Sequence, residues 1–472
     1  MKYLFLLLTA MLAFLGNVKG QKYWTLESCI DYAYENNPTL KQRKLEIKNN
    51  QINVTEAKMS VLPSINAGIN QGINYGRTID PFTNQFVVSQ INNAQFNLSS
   101  GILLFNGFQI YNNIKSQQQS LLASKFDNEV AKNNLGLTIA NAYLQVLFAK
   151  ELLRVADERM KSILAQVERT EKFFAAGVAN KDALLTINGQ KASEALNRTQ
   201  ASNQVRLANL TLWQLLDLNP DENAVIIPEV DSIPDLNVQN ATQIYNAYAL
   251  HAPELEAAKH RLEASDFTLK SSRGAFYPRL SFGANINTIY SDNFRQASNY
   301  KTIGYQAFFA QPDLNTGIFE PISIPASFKV TPFNTQLKDN LGQTIGFSLN
   351  VPIFNNYRNV AAAKRASLSK ENIRLGNETV RINLKNQITQ AYNEYLAAKE
   401  SFLANKANYE AQKLSFENNQ IRFEQKLISD IESSVFLSNY NQAQSNYLRS
   451  KYELLFRSKV IDFYLNGAIQ RK

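Results

Sequence analysis

Apolar and polar residues alternate one by one over residues 63–76, which read Pro-Ser-Ile-Asn-Ala-Gly-Ile-Asn-Gln-Gly-Ile-Asn-Tyr-Gly. A period of two predicts a β-strand with two different faces. One face is mostly isoleucine, and the other holds small uncharged residues such as Asn66, Asn70 and Asn74. Taken alone, the pattern favours an ordinary half-buried strand, although a small neutral face also suits the wall of a narrow water-filled lumen.

The same alternation recurs in three further stretches, at about 94–105, 279–290 and 343–354. Their polar faces are again dominated by Asn, Ser and Gly. This recurrence favours a pore wall over an ordinary sheet whose polar residues pack beneath loops. The predicted pore-facing residues are Asn66, Asn70, Asn74, Asn97, Asn285, Asn287, Ser348 and Asn350.

A second periodicity, of 3.5 residues, follows each pair of strands. Residues 108–172 contain no proline and one glycine, which predicts one helix of about 100 Å at roughly 1.5 Å per residue. Between Leu153 and Phe174, mostly apolar residues recur at alternating steps of three and four, and the same spacing recurs over 388–416. Such spacing is typical of coiled-coil packing. Long coiled-coil helices are therefore predicted over about 108–216 and about 357–465.

The chain carries this order of elements twice, which predicts a duplicated helix-strand-strand-long helix-turn-helix unit. The offset between matched positions grows from 215 to 249 residues between the third and fourth strands, which predicts an inserted exposed loop at 291–341. The first repeat is predicted over 21–235, with a connector at 217–234, and the second over 236–472. The matched pairs include Asn37-Pro38 with Ala252-Pro253, Leu62-Pro63 with Tyr277-Pro278, and Phe105-Asn106 with Phe354-Asn355.

Composition narrows the function further. The net charge of the 472-residue chain is +9, but Lys and Arg are interleaved with Asp and Glu along the helical stretches, so no nucleic-acid partner is predicted. One cysteine, Cys29, and two histidines, His251 and His260, leave little for a metal site. No nucleophile with a paired base, phosphate loop or dinucleotide motif is recognisable, so neither an enzyme nor a cofactor is predicted.

Residues 1–20 predict a cleaved signal peptide. A basic start is followed by an apolar run and small residues, and the run is shorter than the roughly 20 residues that a membrane-spanning helix needs. The protein is therefore predicted to be exported.

Four strands cannot close a membrane barrel alone, because known bacterial barrels have at least about eight. Other copies of the chain would have to complete it. The paired helix starts, strand entries at Leu62-Pro63 and Tyr277-Pro278, and strand exits at Phe105-Asn106-Gly107 and Phe354-Asn355-Asn356 resemble the TolC family of outer-membrane efflux proteins. The resemblance covers essentially the whole chain after the signal peptide.

The resemblance implies an α-helical barrel joined to a transmembrane β-barrel, with four strands per chain and twelve in a homotrimer. The β-barrel would contact outer-membrane lipid, and the helical barrel would lie in the periplasm of a Gram-negative bacterium. The implied function is that of a passive exit duct in a tripartite efflux or type I secretion system. Its implied partners are a periplasmic membrane-fusion adaptor and an inner-membrane pump.

The turns after the long helices correspond to the periplasmic tip and gate of that family. The tip candidates are Phe174, Gly177, Asp182, Phe423, Asp430 and Glu432. Lys426 departs from the pattern, since it stands where the first repeat has Gly177. Asp430 and Glu432 fit a gate, or equally the first turn of a helix, where the macrodipole stabilises acids. The alternative class of protein is an exported coiled-coil structural or adaptor protein without a pore.

Overall fold

A computed structural model describes residues 23–79, 84–88, 90–219, 225–226, 236, 238, 240–308, 318–425 and 427–467. The predicted signal peptide, most of the predicted connector at 217–234, and Lys426 lie outside these residues. The boundary between repeats at 235/236 falls next to this connector and stays a prediction.

The described elements follow the predicted order of helices and strands in both halves. The helices are α1 (Leu26–Asn36), α2 (Pro38–Met59), α3 (Gln109–Ala175), α4 (Lys181–Leu215), α5 (Ala241–Ala249), α6 (Pro253–Gly274), α7 (Phe333–Asp339), α8 (Arg358–Glu424) and α9 (Asp430–Asn466). The strands are β1 (Tyr23–Trp24), β2 (Ser64–Asn74), β3 (Arg77–Ile79), β4 (Phe86–Val88), β5 (Ile91–Phe105), β6 (Val225–Ile226), β7 (Arg279–Ser291), β8 (Arg295–Phe308), β9 (Ile318–Val330) and β10 (Gly342–Asn350).

The described residues fall into two compact units. A helical unit draws on 1–52, 118–264 and 371–472, and a sheet unit draws on 53–117 and 265–370. The helices α3 and α8 each contain 67 residues, because neither segment has an interior proline to interrupt it. None of the described helices is long and apolar enough to cross a membrane.

The helical unit has two main apolar cores. One surrounds Cys29, whose side chain is fully buried beside Trp24, Tyr143 and Trp213. The other is formed by α5, α8 and α9 around the buried Ile388. Four consecutive heptad positions of α8 are buried together in this second core: Ile388, Ala391, Tyr395 and Ala398.

Aromatic rings continue the same heptad seam between α8 and α9. The rings stack one on the next with centroid separations between 5.1 and 5.9 Å. Seven-residue spacing on each helix brings these rings to one face, so rings from α8 alternate with rings from α9 along the contact. The order is Phe402, Tyr447, Tyr409, Tyr440 and Phe416.

Four antiparallel strands form the main sheet of the sheet unit, in the order β10-β7-β5-β2. A register shift between Leu103 and Phe105 places one extra residue in β5 opposite β7. Beyond this bulge, Gly107 adopts φ +64° and lies against Gly274 at the end of α6. A Cβ atom at Gly107 would collide with the Gly274 carbonyl oxygen, so the junction requires glycine.

Two predictions about the second repeat need correction. The segment predicted as an exposed loop at 291–341 contains the β8–β9 hairpin and α7. Register shifts interrupt the alternation of this hairpin, and Pro321 and Pro325 lie within β9. Because of these features, the segment does not show the regular two-residue alternation by which a strand is recognised in a sequence. The fourth strand ends at Asn350 rather than 354, just before Pro352, which has no N–H for a ladder.

Candidate functional site

One face of the main sheet consists mainly of small neutral residues. Residues directly opposite each other on antiparallel strands share a face, and three such rows of polar or small neutral residues cross all four strands. The first row is Gly68, Asn97, Asn287 and Gly342, and the second is Asn66, Ser99, Asn285 and Thr344. A third row of the same kind is Ser64, Gly101, Gly283 and Gly346.

All eight predicted pore-facing residues lie on this polar face. Their shared face follows from the strand register, in which Asn70 faces Gln95, Asn74 faces Ile91 and Asn350 faces Arg279. Ser348 faces Ser281 in the same way. The register therefore brings together Asn66, Asn70, Asn74, Asn97, Asn285, Asn287, Ser348 and Asn350. Whether that face lines a lumen stays a prediction.

The opposite face is mainly apolar and, away from the end where α7 packs, open. Ile69 faces Phe96 on β5, and Phe347 faces Phe282 on β7. The exposed fractions are 70% for Ile69, 76% for Ile345 and 72% for Phe347. This concentration of exposed large apolar side chains on one face indicates a surface that contacts a membrane or another protein.

Both edges of the sheet are unprotected. The edge strands β2 and β10 contain neither a charged residue nor a proline. Soluble proteins usually block such edges with charges, prolines or bulges, because a free edge pairs with other chains. The β8–β9 hairpin differs from these edge strands, since two prolines in β9 have no backbone N–H to donate to another strand.

The helix α7 lies on the apolar face, near one end of β7. Phe333 packs against Phe96 and Tyr290, with ring centroids 6.1 and 5.1 Å apart. Gln336 is fully buried: its Oε1 accepts from the Ser291 N–H at 3.0 Å, and its Nε2 donates to the Ser291 and Thr331 carbonyl oxygens at 2.9 and 2.8 Å. Sequence reasoning missed this contact because it connects residues 45 positions apart.

Arg279 is the other residue that sequence reasoning missed. It is the only charged residue in the four strands of the main sheet, and its side chain is exposed on the polar face opposite Asn350. The signal was present in the sequence, because the matched position of the first repeat is the neutral Ser64.

The first predicted tip is a tight turn between α3 and α4. Gly177 has φ +72°, a conformation that favours glycine, and the Val178 N–H donates to the Phe173 carbonyl at 2.9 Å. Phe174 is 42% exposed, and Asp182 lies in the first turn of α4. The N-cap of α4 is Asn180, whose Oδ1 accepts from the Ala183 N–H at 2.8 Å.

The second predicted tip is organised by a capping box. The Ser429 N–H donates to Glu432 Oε2 at 2.9 Å, and the Glu432 N–H donates to Ser429 Oγ at 3.2 Å. The backbone hydrogen bond from Ser429 holds the pKa of Glu432 below its ordinary value. Glu432 thus serves as a helix cap. Phe423 is half-buried near the end of α8, and Asp430 begins α9, with its side chain outside the described part of the structure.

A polar cavity of about 440 Å³ lies between α3, α4 and α9 in the helical unit. Arg159 enters it, and its Nη2 donates to the Asn441 carbonyl at 2.8 Å and to Gln444 Oε1 at 3.0 Å. Burial lowers the pKa of Arg159. Within the described ranges, no cluster of His, Cys, Asp and Glu has the arrangement of a metal site.

The sheet and helices now define a class of protein. Residues 29–217 match the outer membrane efflux protein family. Among solved structures, CusC has a TM-score of 0.73 at 15% identity, covering 94% of this chain and 91% of CusC. VceC of Vibrio cholerae has a TM-score of 0.70 at 13% identity, covering 94% of this chain and 95% of VceC. The chain therefore has the fold of an outer-membrane channel protomer, with helical-barrel and β-barrel parts.

Curated relatives agree with this class. The outer membrane efflux protein BepC of Brucella suis is 21% identical over 56% of this chain and 55% of BepC. The cation efflux system protein CusC of Escherichia coli O157:H7 is 22% identical over 57% of this chain and 56% of CusC. The chain spans about half to two thirds of the length of the curated relatives it matches. The resemblance to TolC-family outer-membrane efflux proteins is confirmed, and with it the outer membrane as the location.

Proposed function

We propose that this protein is the outer-membrane channel of a tripartite efflux or type I secretion system. It acts as a passive exit duct for substrates that an inner-membrane pump and a periplasmic adaptor deliver. The observation that carries the proposal is the main sheet, whose two faces differ so sharply. Rows of small neutral residues on one face suit water, and the exposed Ile69 and Phe347 on the other face suit lipid.

The open edges of the sheet support assembly with other copies of the chain. The free edge of β2 in one copy can pair with the free edge of β10 in the next, because neither carries a charge or a proline. We propose a homotrimer, in which the four strands of each chain contribute to a twelve-stranded barrel. Pairing also satisfies the backbone groups that lipid cannot hydrogen-bond.

We propose the turns at Gly177 and before Glu432 as the part that meets the adaptor and closes the resting channel. The exposed Phe174 supports the first turn as a contact surface. At the second turn, the capping box favours a structural role for Glu432 over a gate. Asp430 and Asp182 remain the acids proposed for a constriction.

The alternative, an exported coiled-coil protein without a pore, accounts for the long helices and not for the sheet. Such a protein would expose the whole apolar face of β2 and β10 to water, at a cost of roughly 25 cal/mol for each Å². No observation on the described residues favours it.

The test is to purify the protein from outer membranes in detergent and to reconstitute it into planar bilayers. Native mass spectrometry is expected to give three copies per particle, and bilayers are expected to show discrete conductance steps. A monomer that stays in the soluble periplasmic fraction and leaves bilayers silent would refute the proposal. Deleting the protein and measuring which compounds become toxic would then identify its substrates.

A further inference from the structure

We propose that Arg279 forms a basic ring on the polar face of the assembled strands and favours the passage of anionic over cationic solutes. The inference rests on the proposed channel and concerns the charge selectivity of that channel. One copy of Arg279 comes from each chain, so the proposed homotrimer holds three.

The main reason is electrostatic isolation. The four strands of the main sheet contain no other charged residue. Around Arg279, the neighbours on the polar face are neutral: Asn350 lies directly opposite, and Ser281 and Ser348 form the next row. A single charge in a neutral wall sets the sign of the local potential, since no other residue of these four strands carries a charge to cancel it.

Arg279 is also free to act on solutes. Its side chain is exposed, and among the described residues no ion pair or side-chain hydrogen bond involves it. Many other arginines of the protein contact carboxylates, as Arg154 contacts Glu151 and Glu158. Without a carboxylate partner in the described residues, the charge of Arg279 is not neutralised on the polar face.

The duplication supplies a natural comparison. Ser64 occupies the matched position of the first repeat, at the start of β2 as Arg279 is at the start of β7. Both residues lie on the polar face, where Ser64 faces Gly101. The two positions therefore offer the same site with and without the charge.

The experiment measures the anion-to-cation permeability ratio from reversal potentials across planar bilayers with unequal KCl. Arg279→Ser is expected to lower that ratio by about twofold, the effect on a monovalent ion of unit charges roughly 10 Å away in water at moderate salt. Arg279→Lys is expected to leave it unchanged. The double variant Arg279→Ser with Ser64→Arg is expected to restore it, because the charge returns at the matched position. Lys338→Gln, on α7, is the control for loss of a charge elsewhere in the sheet unit.

A second measurement does not depend on conductance. Ser281→Cys places a thiol on the polar face near Arg279, and the native Cys29 is fully buried and adds little background. With Arg279 present, this thiol is expected to favour a negatively charged methanethiosulfonate over a positively charged one. Arg279→Ser is expected to lower the ratio of the two reaction rates by about twofold.

The outcomes separate the inference from the proposed function. Conductance with an unchanged permeability ratio in Arg279→Ser would overturn the inference and leave the channel intact. A wild-type protein without conductance would overturn the channel itself. A shift that Lys338→Gln reproduces in full would also overturn the inference, since the effect would then follow net charge rather than the polar face.

Discussion

The assignment of the two sheet faces is tested by placing one lysine on each. Ile69 and Asn70 are neighbours at the centre of the 11-residue strand β2, and they lie on opposite faces. Ile69→Lys puts a charge on the proposed lipid face, and Asn70→Lys puts the same charge on the proposed pore face. The two variants are otherwise matched, because they lie in the same strand, at adjacent positions along it, and introduce the same side chain.

The expected difference is large. A lysine on the lipid face at the membrane midplane costs about 2–4 kcal/mol, and a homotrimer carries three, which makes roughly 6–12 kcal/mol per assembly. Even the lower figure for one chain reduces the inserted population at least about 30-fold, since each 1.4 kcal/mol is a factor of about ten. Asn70→Lys faces water in the proposed pore and avoids this penalty.

Assembly is measured in purified outer membranes, from the fraction of protein that migrates as an oligomer in unheated gels. Ile69→Lys is expected to lose most of the oligomer, whereas Asn70→Lys is expected to retain it and to alter conductance. Equal loss in both variants, or greater loss in Asn70→Lys, would refute the assignment of the faces.

Three further predictions concern other parts of the protein. Gly107→Ala is expected to lower the unfolding temperature because a Cβ would collide with the carbonyl of Gly274, whereas Gly68→Ala, with open space around it, is expected to have little effect in the same thermal melt. Ser429→Ala is expected to destabilise the start of α9 by about 1 kcal/mol through loss of the capping box, measured by denaturant unfolding; an unchanged midpoint would contradict it. Burial raises the pKa of Glu254, so the stability that the protonated carboxyl contributes is present at low pH and is lost as the pH rises through that raised pKa. Glu254→Gln is therefore expected to raise the melting temperature at pH 7 and to give no gain at low pH. An effect of the substitution that does not depend on pH would contradict this linkage.

Much of the fold could be predicted because its signals are local. The alternation in β2 depends only on neighbouring residues, and the heptads of α8 depend on residues three and four apart. The insertion at 291–341 could be located by its length, but its hairpin could not be recognised. Register shifts such as the one near Asn299 break the alternation on which strand prediction relies.

The candidate site was predicted in part for the same reason. Asn66 and Asn285 were each placed on a polar face by local alternation, and the structure sets them in one row. Gln336 was missed, because its partner Ser291 is 45 positions away and its partner Thr331 lies outside α7, between β9 and the helix. No period in the sequence signals a glutamine that completes the hydrogen bonds of a strand end.

The sequence by itself determined that the chain has two-faced strands, long heptad helices and a duplicated order of elements. Only the tertiary structure decided how the strands align, and so which residues form a shared row. A shift of one residue would turn every side chain of a strand to the other face, and hydrogen bonds between segments about 200 residues apart set that alignment. Because of this register, Arg279 lies beside Asn350 as the one charge on a neutral polar face.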